Sequence, residues 1–245
     1  MSSSRFDFKD KVVLVTGVGR AGQIGHAVAL AFGKAGAKIV ACDVNAVGVA
    51  QRVREFAAEG VDARPCAGDL TQPDIAALAV EIALKHFNRL DVVVNVAGGL
   101  TTYGPIGDIT AEAIDREIAI NLKTAVLVSQ AAIEALTRTQ GCIVNFSSIA
   151  YFTPQAPMAV YSAAKAAVAG FTRSLALELR DRQVRVNAIA PAMVRTVDNV
   201  AAAGEEGAQY VEMQEITDGV MALASPGAAT TGQLMPIAPA GAGVS

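Results

Sequence analysis

Short runs of β-branched residues alternate along the chain with alanine-rich stretches of helical length. Apolar runs of roughly four to eight residues are typical of buried strands, and the longer stretches are typical of helices. The pattern predicts strands at residues 11–16, 37–43, 61–67, 90–96, 141–147, 183–190 and 232–238. It predicts helices at residues 23–35, 47–59, 72–87, 111–139, 157–180 and around 212–224.

The predicted strands are apolar on both faces, which indicates a parallel sheet covered on both sides. Strands that alternate with helices require right-handed crossovers and a doubly wound sheet. We therefore expect an α/β, Rossmann-type fold with about seven parallel strands and helices on both faces. No linker or repeat divides the chain, so residues 1–245 are expected to form a single domain. Such sheets bind ligands at the carboxyl ends of their strands.

Composition narrows the classes of protein that the chain can be. It has 245 residues, a formal net charge of -3, 52% hydrophobic residues and 18% charged residues. That apolar content excludes a disordered chain, and a slightly acidic chain lacks the basic stripe that duplex nucleic acid requires. Charged residues interrupt every apolar stretch before it reaches the roughly 18 residues of a membrane span, and no signal peptide opens the chain. We therefore expect neither a nucleic-acid partner nor a membrane partner.

Cysteine and histidine usage gives two further expectations. Three cysteines are too few, and odd in number, for a disulfide framework, which indicates reduced thiols in a cytoplasmic protein. His26 and His86 lie on separate predicted helices, and no cysteine pair has the spacing of zinc ligands. We therefore expect no metal site, and a nucleophilic serine triad lacks a suitably placed histidine.

A glycine-rich turn follows the first predicted strand and contains Gly17, Gly19, Gly22 and Gly25. Glycines allow a sharp turn close to a pyrophosphate, and the N–H groups of the next helix point at that anion. A string of this kind also occurs as a plain tight turn. Its position between a strand and a helix favours a dinucleotide site.

Acidic and small residues end the next strands. Asp43 can accept hydrogen bonds from the adenosine ribose hydroxyls, and its charge would repel a 2′-phosphate, which favours NAD over NADP. Arg20, in the glycine-rich turn, is equally consistent with a phosphate contact and with a solvated side chain. Asp69 could accept from the adenine amino group or cap the next helix. Asn95 begins a tetrapeptide, ending at Gly98, whose small residues leave room for a cofactor.

Candidate chemistry lies further along the chain. Tyr161 and Lys165 share one helix face, where an ammonium favours the phenolate of a group that is otherwise a poor base at neutral pH. The same spacing also occurs in plain helix-surface contacts. Ser148 ends the fifth predicted strand and could hold a substrate oxygen or form a turn. Asn121 lies inside a predicted helix, which asparagine disfavours; this indicates either a functional role or an ordinary satisfied polar residue.

Together these residues resemble the short-chain dehydrogenase/reductase family, from about residue 9 to residue 241. The spacing of Asn121, Ser148, Tyr161 and Lys165 matches the family and is more specific than any single motif. The resemblance implies that Tyr161 is the general acid/base, supported by Lys165. It implies that Ser148 holds the substrate oxygen and that Asn121 positions a water. The dinucleotide contacts that it implies are Gly17, Arg20, Gln23, Ile24, Gly25, Asp43, Val44, Asp69, Leu70, Asn95, Ala97, Gly98, Tyr161, Lys165, Pro191, Val194 and Thr196.

The chain departs from the family's pattern in sequence at Val96, at Ala192 and near residues 237–241, and in length in two segments. The stretch from Gly17 to Gly25 is two residues longer than usual, which affects the pyrophosphate turn. The segment after Thr196 is about half the usual length, so we expect a short, mobile lid at about residues 197–212 and an open site. The family also implies a homotetramer, built partly on the helices at residues 111–139 and 157–180.

The expected function is that of an NAD(H)-dependent oxidoreductase that interconverts a small-molecule secondary alcohol and a ketone. An NADPH-dependent 3-oxoacyl-thioester reductase of the same family is the alternative within the enzymes. A dinucleotide-binding sensor without catalysis is the alternative of another class, because a fold does not prove a chemistry. Candidate pocket residues, which indicate either an apolar pocket or plain core packing, are Gly99, Leu100, Ala150, Tyr151, Phe152, Met158, Met193 and Val194.

Overall fold

The structure, a computed structural model, describes residues 6–205 and 208–239. These residues form one parallel sheet of seven strands, in the order β3-β2-β1-β4-β5-β6-β7. The strands are β1 Val12–Thr16, β2 Lys38–Asp43, β3 Ala63–Ala67, β4 Val92–Asn95, β5 Cys142–Phe146, β6 Arg185–Pro191 and β7 Leu234–Ile237. The predicted α/β, doubly wound, Rossmann-type fold is confirmed.

The helices cover both faces of the sheet. They are α1 Ile24–Lys34, α2 Ala46–Ala58, α3 Pro73–Phe87, α4 Ala111–Ile118, α5 Thr124–Thr139, α6 Ala159–Glu178, α7 Val197–Ala203 and α8 Met213–Ala224. One apolar core joins alternate β1 residues such as Val13 to α1, α2 and α8, and the other joins residues such as Leu14 to α3, α5 and α6. Alternation along β1 therefore supplies both cores, as expected of a strand buried on both faces.

The strand order reverses between β1 and β4, which are neighbours although two strands separate them along the chain. The chain thus runs outward from β1 to β3 and then crosses back to β4. Ligands of open α/β sheets bind in the crevice at this reversal, beyond the carboxyl ends of the strands. The ends of β1, β2, β4 and β5 are therefore the part of the fold that positions a site.

The predicted helix at residues 111–139 differs from the structure in one respect. A π-helical turn, Ala119–Lys123, separates α4 from α5 and contains Asn121. One extra residue per turn is typical of such π-bulges, which occur frequently at functional sites. The side chain of Asn121 donates a hydrogen bond to the Glu117 carbonyl oxygen, four residues earlier, and so competes for backbone groups in the manner that disfavours asparagine in a regular helix.

Two further observations concern the helices. The sequence predicts no helix after Thr196, whereas the structure has α7 there, capped by the Thr196 hydroxyl, which accepts from the Asn199 N–H. The continuous helical stretch Ala111–Thr139 is long and apolar enough to cross a membrane by length and composition alone. That likeness is weak, because α5 packs against the sheet through buried residues such as Val128 and Leu136, as core helices do.

Candidate active site

The glycine-rich turn lies against the end of β4. The Thr16 hydroxyl accepts a hydrogen bond from the Ala97 N–H at 2.9 Å. Gly17 has a φ of +74°, and a Cβ there would lie 3.2 Å from the Ala97 backbone. Gly25 has no room for a side chain, since its Cβ would lie 2.2 Å from the Gly17 carbonyl oxygen. The turn is therefore folded tightly across the crevice between β1 and β4.

The first turn of α1 is open to a ligand. Its N-cap residue, Gln23, makes no side-chain capping hydrogen bond, and no acidic side chain occupies the first turn, which starts at Ile24. The first N–H groups of a helix have no partner within the helix and favour an anion. This arrangement fits a pyrophosphate.

Asp43 closes the other side of the glycine-rich turn. Its carboxylate accepts from the Gly19 N–H at 2.7 Å and from the Asn45 N–H at 2.9 Å. Only a glycine fits at position 19, because a Cβ on Gly19 would lie 2.7 Å from the carboxyl carbon of Asp43. Both carboxylate oxygens of Asp43 keep lone pairs that can accept further hydrogen bonds at the end of β2, where Val44 is exposed. These groups fit the ribose of an adenosine.

Arg20 does not extend freely into solvent. It forms an ion pair with Asp198 in α7, and both side chains are partly exposed. Asp69, at the end of β3, accepts from the Thr71 N–H at 2.9 Å. This hydrogen bond lowers the pKa of Asp69. Leu70 beside it is buried.

Ser148, Tyr161 and Lys165 come together beyond the end of β5. Ser148 follows that strand, and the other two project from one face of α6. The Lys165 ammonium donates to the Phe146 carbonyl oxygen at 3.0 Å and lies 5.8 Å from the centre of the Tyr161 ring. The Lys165 carbonyl oxygen accepts from the Ser147 hydroxyl at 2.8 Å, which fixes α6 to the end of β5.

The protonation of this group reflects its burial. Burial raises the pKa of the Tyr161 phenol, a hydrogen bond with Ser148 opposes the rise, and the charge of Glu117 adds to it. Burial also lowers the pKa of Lys165 to about 8, and Glu117 opposes that fall. Lys165 therefore remains mostly a cation near neutral pH, when it can favour a phenolate beside it.

Asn121 is buried and binds the loop that follows β4. Its amide oxygen accepts from the Gly99 N–H at 3.0 Å, and its amide nitrogen donates to the Gly99 carbonyl oxygen at 2.9 Å. The same nitrogen donates to a carboxylate oxygen of Glu117 at 3.0 Å. Gly98 precedes this contact with a φ of +135°, and a Cβ there would lie 2.6 Å from the Asn121 amide oxygen.

The residues after β6 lie at the same carboxyl edge of the sheet as the site residues described above. Pro191, Val194 and Thr196 are all buried. The Thr196 N–H donates to the Val194 carbonyl oxygen at 2.8 Å. α7 then turns back over the glycine-rich turn. The short segment predicted as a lid thus begins with a helix that contacts the predicted pyrophosphate site.

Known proteins are similar to this chain in sequence. The family model described as short chain dehydrogenase matches residues 11–206. The chain is 34% identical to a versicolorin reductase of Emericella nidulans over 80% of this chain and 73% of that protein. It is 32% identical to an L-xylulose reductase of Caenorhabditis elegans over 96% of both chains.

Solved structures are also similar to this chain in fold. A short-chain type dehydrogenase/reductase from Mycobacterium ulcerans has a TM-score of 0.89 at 30% identity, covering 95% of this chain and 90% of that one. A 3-oxoacyl-[acyl-carrier protein] reductase with bound NAD from Brucella melitensis has a TM-score of 0.85 at 30% identity, covering 96% and 92%. The chain belongs to the short-chain dehydrogenase family. It is an oxidoreductase of a fold that binds a nicotinamide dinucleotide.

Asn95 of this short-chain dehydrogenase has several hydrogen-bond partners within the core. Asn95 is 4% exposed, and its amide nitrogen donates to the Asn145 amide oxygen at 2.9 Å and to the Ser129 hydroxyl at 3.1 Å. The Asn145 amide nitrogen in turn donates to the Thr172 hydroxyl at 2.9 Å. Asn95 therefore links β4 to β5, α5 and α6 beneath the site.

Two residues of the site were missed by the sequence analysis. Glu117 is fully buried and contacts Asn121, and Thr101 donates to Glu117 from both its backbone and its hydroxyl. A signal for Glu117 was present, since it precedes Asn121 by one helical turn and therefore shares its face. Among the described residues, no group of three histidine, cysteine or acidic side chains is placed to hold a metal ion.

Proposed function

We propose that this chain interconverts a secondary alcohol and a ketone with NAD(H), with Tyr161 as the general acid/base. The observation that carries the proposal is the grouping of Tyr161, Ser148 and a buried Lys165 ammonium at the end of β5, the strand next to β4 at the strand reversal. A nicotinamide bound there would accept the hydride from the alcohol carbon or return it to the ketone.

The chain's own residues handle the proton. Ser148 offers a hydroxyl that can donate to the substrate oxygen and stabilise the charge that develops on it. Tyr161 takes the alcohol proton or returns it to the ketone oxygen. Lys165 has N–H groups beyond the one that Phe146 accepts, so it can both bind ribose hydroxyls and favour the Tyr161 phenolate.

The preference for NAD rests on Asp43. Its carboxylate stands at the end of β2, and the nearest turn residue, Gly19, brings only a backbone N–H to it. A 2′-phosphate placed there would meet a negative charge, whereas a ribose hydroxyl would meet an acceptor. The one basic side chain of the turn, Arg20, is paired with Asp198. Both observations favour NAD.

Thioester reduction is the second candidate, because two of the solved neighbours are named as acyl-carrier-protein reductases. We propose a small-molecule alcohol or ketone first, because apolar side chains such as Leu100 and Met193 lie exposed near the site and suit an uncharged substrate. A substrate panel of secondary alcohols, sugars, steroids and 3-oxoacyl thioesters, each with NADH and NADPH or their oxidised forms, distinguishes the two.

Assembly and location complete the proposal. We propose a cytoplasmic homotetramer that uses the outer faces of α5 and α6. On α6, Leu177 is 64% exposed, which is unusual for a large apolar side chain on a core helix. Cys42, Cys66 and Cys142 are all unpaired and buried, as in a reducing compartment. Light scattering at several concentrations tests the assembly.

The deciding experiment removes one oxygen atom. Tyr161→Phe is expected to abolish turnover while the Kd for NADH changes less than about threefold, because the hydroxyl acts in the chemical step. Tyr103→Phe is the matched control, since Tyr103 is 68% exposed, and it is expected to keep full activity. Turnover by Tyr161→Phe at the unmodified rate would refute the mechanism, and NADH binding without any turnover in the unmodified chain would favour the sensor.

A further inference from the structure

A fully buried acid stands beside the proposed catalytic group. Glu117 is the last residue but one of α4, just before the π-helical turn, and is 0% exposed. A buried carboxylate is costly unless hydrogen bonds or an opposite charge compensate for the lost hydration. No function described above uses this side chain, so its position needs a physical reason.

Hydrogen bonds satisfy both carboxylate oxygens of Glu117. One oxygen accepts from the Asn121 amide nitrogen at 3.0 Å. The other accepts from the Thr101 N–H at 3.0 Å and also from the Thr101 hydroxyl. Every one of these partners is a donor, which is the arrangement that an ionised carboxylate requires. Glu117 thereby joins the loop after β4 to the π-helical turn.

An opposite charge is present as well. α4 packs against α6, and Glu117 acts electrostatically on both Tyr161 and Lys165. Lys165 is itself 4% exposed and has one hydrogen bond to a carbonyl oxygen and none to a carboxylate among the described residues. The charged side chains on the same helix, such as Asp115 and Arg116, point to solvent. Glu117 is therefore a buried acid on the helix packed against α6, and its charge acts on Lys165 without a direct ion pair between the two side chains.

We propose that Glu117 is a positioning residue, which ties the loop after β4 to Asn121 and serves as the buried counter-charge that keeps the Lys165 ammonium protonated. The charge and the hydrogen bonds act together. Without the carboxylate, Lys165 would be a cation desolvated between α6 and β5 with only dipoles around it. Only the consequence for turnover rests on the proposed function; the electrostatic pairing does not.

The test measures Lys165 directly. Proton titration of isotope-labelled lysine Cε signals by NMR, with Lys165→Met to assign the signal, needs neither substrate nor cofactor. We expect the Lys165 midpoint, near pH 8 in the unmodified chain, to fall by about one pH unit in Glu117→Gln, because an attractive charge is removed. Glu117→Asp keeps the charge but draws it back by one methylene, so its midpoint is expected between the two.

Asp115→Asn is the matched control, an acid-to-amide change at an exposed position of the same helix, and it is expected to leave the midpoint unchanged. An unchanged midpoint in Glu117→Gln would overturn the proposal. Should that variant fail to fold, Glu117→Ala takes its place, and an unchanged midpoint there would overturn the proposal in the same way. Glu117→Gln could also lose hydrogen-exchange protection at the Thr101 amide while the Lys165 midpoint stays unchanged. In that case Glu117 only holds the loop in place, and the proposal is overturned as well.

These outcomes are separable from the proposed function. A chain that titrates as expected but shows no turnover supports the pairing and contradicts the enzymatic proposal. Where turnover is found, the limb of the pH profile that falls as Lys165 loses its proton is expected to move to lower pH in Glu117→Gln by the same amount.

Discussion

Arg20 and Asp198 form an ion pair that joins the glycine-rich turn after β1 to the first turn of α7. The contact beside it is apolar, because a Cβ on Gly22 would lie 2.6 Å from a methyl carbon of Val197. The short segment after β6 therefore rests on the turn that would hold a pyrophosphate. Since the longer turn and the shorter segment meet, these two departures in length from the family's pattern are parts of one feature.

Asp198→Asn is expected to tighten NADH binding by about two- to fivefold. The change releases Arg20 for the anion and removes a negative charge near it, and exposed charges contribute roughly 0.2–1 kcal/mol. Calorimetric titration with NADH at low and high salt measures the effect, which should shrink as salt screens the charges. Asp181→Asn, an exposed acid after α6, is the control. Weaker binding by Asp198→Asn would mean that the ion pair holds the cofactor in, rather than competing with it.

Asp43→Asn is expected to lower the preference for NADH over NADPH by about tenfold, equivalent to about 1.4 kcal/mol. The amide keeps an acceptor for the Gly19 N–H but removes the charge that repels a 2′-phosphate. The measurement is the ratio of kcat/KM with the two cofactors, or of their Kd values. Asp74→Asn, in the first turn of α3, is the control. A chain that already prefers NADPH would contradict the role of Asp43.

The sequence predicted the sheet well because burial on both faces leaves a strong mark. Runs such as Val12–Thr16 and Val92–Asn95 are apolar up to their last residue and buried throughout, and they proved to be β1 and β4. The positions of Gly17, Asp43 and Ser148 followed, because each lies at the end of a strand or within two residues of it, and the ends of parallel strands meet at one edge.

The parts that were not predicted depend on tertiary contacts. The π-helical turn at Asn121 exists because its side chain binds Gly99, which is 22 residues away in the chain. Glu117 looks like a solvated helix residue until α6 and the Thr101 loop enclose it. α7 contains alanines and one exposed valine, a composition that gives no amphipathic pattern, and its contact with Arg20 is set by the fold.

Lys165 is expected to make the stability of the cofactor-free protein depend on pH in a defined window. Burial lowers its pKa from 10.5 to about 8, so between those values the unfolded chain holds a proton that the folded chain has lost. The free energy of unfolding therefore rises with pH across this window, by about 3 kcal/mol in total. Lys165→Met removes the contribution.

Denaturant titrations of the unmodified chain and of Lys165→Met at several pH values measure the contribution of Lys165 to the free energy of unfolding. The stability of the variant relative to the unmodified chain should fall by that amount between pH about 8 and pH about 10.5. Comparing the two proteins cancels the titration of other groups. A constant difference across the window would show that Lys165 keeps an ordinary pKa and that its burial does not lower it.

Asn95 is expected to act on stability more than on cofactor binding. Its amide nitrogen is shared between Asn145 and Ser129, both buried, so Asn95→Ala leaves an acceptor without its donor inside the core. The substitution also removes the buried Asn95 amide oxygen, which has no hydrogen-bond partner among the described residues. The net cost is therefore that of two buried hydrogen bonds, about 0.5–1.5 kcal/mol each, and we expect a loss of about 1–3 kcal/mol in the free energy of unfolding. The Kd for NADH should change less than about threefold, because this side chain faces α5 and β5. Ser129→Ala removes only one partner and should cost less than Asn95→Ala. A large loss of NADH affinity at unchanged stability would place Asn95 among the cofactor contacts, as the family resemblance implies.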